Sequence, residues 1–205
     1  HCYRLGPALT RLAAMREQTF SLRDQVKRHV DATSRAVEEL AHFSVIDGPR
    51  LRSVYFAQAH DHALRVQFDD DEIIPFHATA SGAAVLAWMA PDQRDALLAQ
   101  PLERITGYTV TDPAALRAML DEVREHGHSE MAETRETGVC SVGVPVFGAT
   151  ARPLGALSVA YPVHRDTPQQ RARFAAALKT QAKAITQAIG GRLPPAFARA
   201  IGAPM

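Results

Sequence analysis

The sequence predicts an α+β domain, an antiparallel sheet with its helices segregated from the strands. Three observations carry this reading. Apolar stripes of helical period sit at both ends and in the middle of the chain, while period-two stretches come in neighbouring groups. Those stretches are joined by tight turns, Asp47-Gly48-Pro49 and the loop holding Gly148, Arg152 and Pro153, which suits hairpins. Helices and strands do not alternate as a doubly wound parallel sheet requires. The size, 205 residues with 46% hydrophobic and 22% charged, fits one globular domain with an added arm.

Leu5, Leu9 and Leu12 recur at helical spacing and predict a first helix. After a break around Thr19-Phe20-Ser21, with Ser21 as N-cap, a second stripe runs through Leu22, Val26, Val30, Thr33, Val37 and Leu40. Residues 43–46 and 54–57 then read as a hairpin, and Leu64, Val66 and Phe68 as a third strand. Two helices follow, one from Ser81 to Met89 and one opening at Pro91-Asp92. The next helix, 112–126, has Asp112 as cap, Pro113 in the first turn and Gly127 as its stop. A second hairpin pairs 139–147 with 154–161. A last helix at 168–189 ends at Gly190-Gly191, and a loosely ordered tail is expected beyond it.

Net charge is +1, yet it is unevenly spread. Residues 1–30 hold six Lys/Arg against two Asp/Glu, 31–150 nine against nineteen, and 151–205 eight against one. The whole chain lacks the basic excess of a nucleic-acid-binding domain. The densest acidic run, Asp69 to Glu72, reads as a solvated turn. Two distant cysteines, Cys2 and Cys140, exclude a disulfide scaffold and a four-cysteine zinc site, and a reduced, cytoplasmic protein is the simplest reading. No apolar run approaches the length of a membrane span, and the first residues do not form a secretion signal.

The second hairpin is the most informative segment. Leu157, Val159 and Tyr161 alternate with Ala156, Ser158 and Ala160, and Val142, Val144 and Val146 with Ser141, Gly143 and Pro145. Each strand has a bulky apolar face and a small, partly polar one. The room above the small face takes either a packed helix or a ligand such as a small organic anion. Residues 75–84 place small and hydroxyl side chains where a loop enters a helix. Its free amides suit a carboxylate, or Ser81 simply caps it.

No nucleophile elbow, metalloprotease helix or phosphate loop is present. Of nine histidines, His60/His62 and His126/His128 form close pairs; both read as exposed loop residues, with metal binding the minority reading. Cys140 and several serines are the candidate nucleophiles if the chain is an enzyme, and Cys140 the candidate thiol sensor.

Four stretches together resemble the effector-binding half of the IclR family of bacterial transcription regulators: Tyr3 to Gly6 with Leu9 and Leu12; Pro75 to Ala84; Thr111-Asp112-Pro113 through Gly127; and Glu136 to Phe147 with Ala156 to Val159. The resemblance implies a GAF-like, profilin-like antiparallel sheet flanked by helices and a small-molecule pocket without catalysis, cofactor or metal. It divides the chain into a linker helix (1–20), an effector-binding domain (21–192) and a tail (193–205). A small organic acid is the implied effector, and a homodimer or homotetramer the implied assembly. Operator DNA is reached through a winged helix-turn-helix domain ahead of residue 1, so these residues alone are expected to bind it poorly. A freestanding GAF-like enzyme or a redox sensor using Cys140 is the alternative.

The family's ligand contacts map onto Thr79, Ala80, Ser81 and Gly82, onto a position near Met131, and onto Ser141, Ser158 and Ala160. Ala83 replaces the family's usual Lys. Met131 stands where some relatives are acidic, and Ala160 where some carry Ser. The resemblance therefore implies a less polar pocket, and an effector larger and more apolar than glyoxylate, such as an aromatic or alkyl carboxylate.

Overall fold

The computed structural model describes residues 21–58, 66–67 and 73–203. The linker stretch 1–20, the His60/His62 pair, Leu64 and Phe68 of the expected third strand, and the acidic run 69–72 lie outside the described residues. Val66 and Gln67 are described and are not in a strand.

Helix α1 (Leu22–Val37) begins at the expected cap: the Ser21 hydroxyl accepts from the Asp24 amide, and Val26, Val30 and Val37 are buried. Strands β1 (Leu40–Asp47) and β2 (Arg50–Ala57) form the first hairpin, longer than the apolar runs suggest. Its turn residue Gly48 has φ 59°, a left-handed value that glycine adopts without steric penalty. Strand β3 (Ile73–Ile74) adds two residues to β2. Then come α2 (Ala80–Trp88), α3 (Pro91–Leu98) and α4 (Pro113–His126). In α4 the Asp112 carboxylate accepts from the Ala115 amide, and Gly127 closes the helix at φ 69°.

Strand β4 (Ser129–Ala132) is not legible in the sequence: Ser-Glu-Met-Ala carries no β-branched residue, and its pairing to β5 holds it. Strands β5 (Val139–Phe147) and β6 (Pro153–Pro162) form the second hairpin. Helix α5 (Pro168–Ala188) and a short α6 (Pro195–Ala200) finish the chain. Residues 195–200 are not a loose tail. Phe197 of α6 is fully buried, its ring 5.2 Å from Trp88 and 4.8 Å from Phe147.

The six strands form one antiparallel sheet in the order β3-β2-β1-β6-β5-β4. The β5–β6 register aligns the faces that alternation separates. Val142 opposes Val159 and Val144 opposes Leu157, while Ser141 opposes Ala160 and Gly143 opposes Ser158. Helices α1 and α5 pack together over the bulky face, with the Phe174 ring 4.9 Å from Tyr161. Helix α2 lies on the small face, and all nine of its residues are buried. The approach is close: a Cβ at Gly143 would stand 2.5 Å from the Ala80 carbonyl oxygen. Helix α4 packs outside α2.

Candidate functional site

Helix α2 covers part of the small face and leaves a cavity of about 60 Å³ beside its N-terminus. The floor is Ser141, Ser158 and Ala160 from the hairpin with His42 from β1. Ala78, Thr79, Ala80 and Ser81 form the wall at the helix entrance. Thr134, Arg135, Glu136 and Val139 form a second wall, and Val66, Gln67 and Ile74 complete the lining. By volume this is room for a small molecule and well below a drug-sized pocket.

Local hydrogen bonds fix each wall. Thr79, not Ser81, is the N-cap of α2: its hydroxyl accepts from the Gly82 amide at 3.1 Å and donates to the Pro75 carbonyl at 2.8 Å. The Ser81 hydroxyl donates to the Thr79 oxygen at 3.3 Å. A Cβ at Gly82 would collide with the Phe76 backbone, so glycine lets the entering turn fold against the helix. Two further side chains tie the entrance down. Ser129 Oγ donates to the Ala80 carbonyl at 2.6 Å, and Thr134 Oγ1 to the Ala78 carbonyl at 2.7 Å. The second wall is held from behind: Thr109 Oγ1 donates to the Thr134 carbonyl at 2.6 Å and Thr106 Oγ1 to the Glu133 carbonyl at 2.7 Å.

The floor carries a polar atom that packing does not explain. Ser158 is fully buried, and its hydroxyl has no hydrogen-bond partner among the described residues. A buried polar atom left unmatched costs about 1–3 kcal/mol; Ser44 on the same face is likewise unmatched, and of the two only Ser158 borders the cavity. Beside it in register stands His42, 6% exposed. Burial, and then the positive charge of Arg135, push its pKa down from 6.5 to about 4, so the imidazole is neutral at neutral pH.

The structure thus brings six of the eight expected residues, Thr79, Ala80, Ser81, Ser141, Ser158 and Ala160, to one cavity. Gly82 and Met131 are not in its lining. Gly82 serves the turn, and Met131, although opposite Ser141, belongs to the packed core. Thr134, three residues further on, supplies that wall. His42 and Arg135 escaped the sequence reading. Strand alternation placed on the full β1 would have found His42, since it shares a face with Ser158.

The alternative chemistries fare differently. Cys140 is buried and free, and burial first, then the acidic Asp166 and Glu133, push its thiol up to about 11. A redox cysteine needs the reverse, an exposed thiol of low pKa. His128 bonds the His126 carbonyl and Glu130, and no group of three His, Cys, Asp or Glu among the described residues is placed to hold a metal ion. No helix among the described residues is long and apolar enough to cross a membrane.

A rigid sheet whose small face holds a roofed, neutral-floored cavity defines a ligand-binding sensor domain. The chain matches the family described as "Bacterial transcriptional regulator IclR C-terminal" over residues 16–187. It belongs to the IclR family of transcriptional regulators and comprises the family's effector-binding domain. It is 33% identical to the HTH-type transcriptional regulator Rv1719 of Mycobacterium tuberculosis, over 80% of this chain and 61% of that protein. The crystal structure of an IclR-type protein from Silicibacter sp. TM1040 superposes with a TM-score of 0.89 at 42% identity, covering 95% of this chain and 77% of that one. An IclR homologue from Microbacterium hydrocarbonoxydans, solved in complex with 4-hydroxybenzoate, superposes with a TM-score of 0.73 at 25% identity, covering 91% and 75%. The chain therefore spans less than two thirds of the Rv1719 relative.

Proposed function

We propose that the cavity beneath the α2 entrance binds a small organic acid, and that its occupancy controls DNA binding by an attached helix-turn-helix domain. The carrying observation is the buried, unpartnered Ser158 hydroxyl on the cavity floor. A helix N-terminus favours a negative group, which supports a carboxylate near Ala80 and Ser81. The remaining lining is largely apolar, with Val66, Ile74, Ala78, Val139 and Ala160. That supports an acid with an apolar body, aromatic or alkyl, as does the 4-hydroxybenzoate held by the relative. The working assembly in this reading is a homodimer or homotetramer.

Calorimetric titration of benzoate, 4-hydroxybenzoate and glyoxylate tests the reading. Saturable binding of an aromatic acid, competed by a second one, is the expected result. Tight binding of glyoxylate alone removes the apolar body from the proposal, and no binding by any of the three removes the effector site.

A further inference from the structure

Strand β4 ends the sheet, and an open groove of about 680 Å³ lies beside it between α4 and α5. The two helices are on opposite faces of the sheet, so each forms one wall. The α4 wall carries Met119, Glu122 and Val123, and the α5 wall Arg171, Ala175 and Lys179. The walls differ in charge. Helix α5 has four basic residues and no acidic one in its 21 residues. Helix α4 has Asp121, Glu122 and Glu125, all exposed, and its two arginines are engaged elsewhere. Arg117 pairs with Asp95, and Arg124 donates to the Ala87 carbonyl with its guanidinium over the Trp88 ring. On the floor, His128 and Glu130 hydrogen-bond to each other. Arg171 is matched by Glu130 and Asp166. Lys179 is not matched: half-buried, it makes no hydrogen bond or ion pair among the described residues. Burial pushes its pKa below the ordinary lysine value, and the charge of Glu130 opposes that shift in part.

We propose that this edge is an interface between two copies of the chain, related by a twofold axis along β4, in which Glu122 of one copy meets Lys179 of the other. A second copy is the partner whose charges fit. An axis along the strand exchanges the two faces of the sheet. The acidic α4 of each copy then lies against the basic α5 of the other, and every contact occurs twice. An axis perpendicular to the sheet would join the two β4 strands in one antiparallel sheet, but it sets α4 against α4 and α5 against α5, like charge against like. Met119, Val123 and Ala175 lie between the charges and supply the apolar part of the contact. The interface rests on the homodimer or homotetramer reading above and gives that assembly one of its contacts. It shares no lining residue with the effector cavity.

Sedimentation of the 205-residue chain at about pH 8, above the ordinary histidine range, reads the association directly. Wild type is expected to form a dimer or tetramer, with one association step weakened about tenfold between about 0.05 M and about 0.5 M salt. Glu122→Lys and Lys179→Glu each place like charges at both symmetric contacts and are expected to weaken that step by about tenfold or more. Mixed in equal amounts, the two variants are expected to associate with each other about as tightly as wild type, because each supplies the charge the other lacks. If Lys179→Glu does not fold, Lys179→Gln, expected to lose about threefold, carries the test beside Glu122→Lys. Association that neither variant weakens, or a mixture that stays as weak as its components, overturns this interface and leaves the assembly standing. Wild type that stays monomeric at about 100 μM overturns both.

Discussion

The two faces of the β5–β6 hairpin are built by the same residues' backbones and follow opposite rules. On one face Val142, Val144, Val146, Leu157, Val159 and Tyr161 are all fully buried beneath α1 and α5. On the other, small side chains admit α2 at Gly143 and stop short of filling the space at Ser141, Ser158 and Ala160. The first face is fully buried and supplies stability. The second leaves the buried Ser158 hydroxyl without a hydrogen-bond partner among the described residues, beside a cavity. The helix takes part of the small face and leaves a cavity beside its N-terminus, the site of the proposed effector.

The comparison breaks first if the bulky face is not the stabilising one. Phe174→Ala removes a fully buried ring from that face and is expected to destabilise the domain by about 3–5 kcal/mol in chemical denaturation. Effector affinity of the folded protein should stay unchanged, and a parallel loss of affinity would show that the two faces are coupled.

The pH dependence of stability is the next largest effect and belongs to the cavity. His42 titrates near 6.5 in the unfolded chain and at about 4 in the fold. Below the unfolded value the unfolded chain takes up a proton that the fold refuses. The His42 contribution to stability is therefore constant above about pH 6.5, declines as pH falls, and levels off below about pH 4. The shift corresponds to roughly 3 kcal/mol at full extent. Denaturation curves of wild type and His42→Gln should converge toward acid pH, because carboxylates elsewhere act on both alike.

Gly143→Ala probes the border between helix and cavity. The new methyl group meets the Ala80 carbonyl, itself held by Ser129. Overpacking is expected to cost about 1–3 kcal/mol and, by shifting the α2 entrance, to weaken effector binding as well. Loss of stability with unchanged affinity would show that the entrance does not shape the site.

Much of this border was legible in the sequence because it depends on local pattern. Period-two alternation separated Ser141, Ser158 and Ala160 from their bulky neighbours, and the caps at Ser21, Asp112 and Gly127 follow from local hydrogen bonding. What failed depends on tertiary context. Thr79 and Ser81 both carry hydroxyls suited to a cap, and the fit of Gly82 against Phe76 decides between them. Strand β4 is too short and too polar to declare itself, so the contribution of Thr134 to the cavity wall has no signal in the sequence. Arg135 and His42 lie on separate elements, and the register of β1 against β6 together with the fold of the loop around Glu133, at φ 57°, brings them to one cavity.

The smallest expected effect discriminates the two faces most sharply. Ser158 and Leu157 are adjacent in β6 and both are fully buried, yet they point to opposite sides. Leu157→Ala leaves a cavity under α1 and α5 and is expected to lower stability by about 2–5 kcal/mol, with effector affinity unchanged. Ser158→Ala removes a hydroxyl without a partner, so its transfer from water is no longer uncompensated, and stability is expected to rise by about 1 kcal/mol. In the proposed function the same hydroxyl bonds the effector, so the substitution is also expected to weaken effector binding by about tenfold. Opposite signs in stability, with affinity moving for one residue and not for its neighbour, is the signature of a strand that is core on one side and site on the other. Equal losses of stability at both positions would show that the small face is core as well.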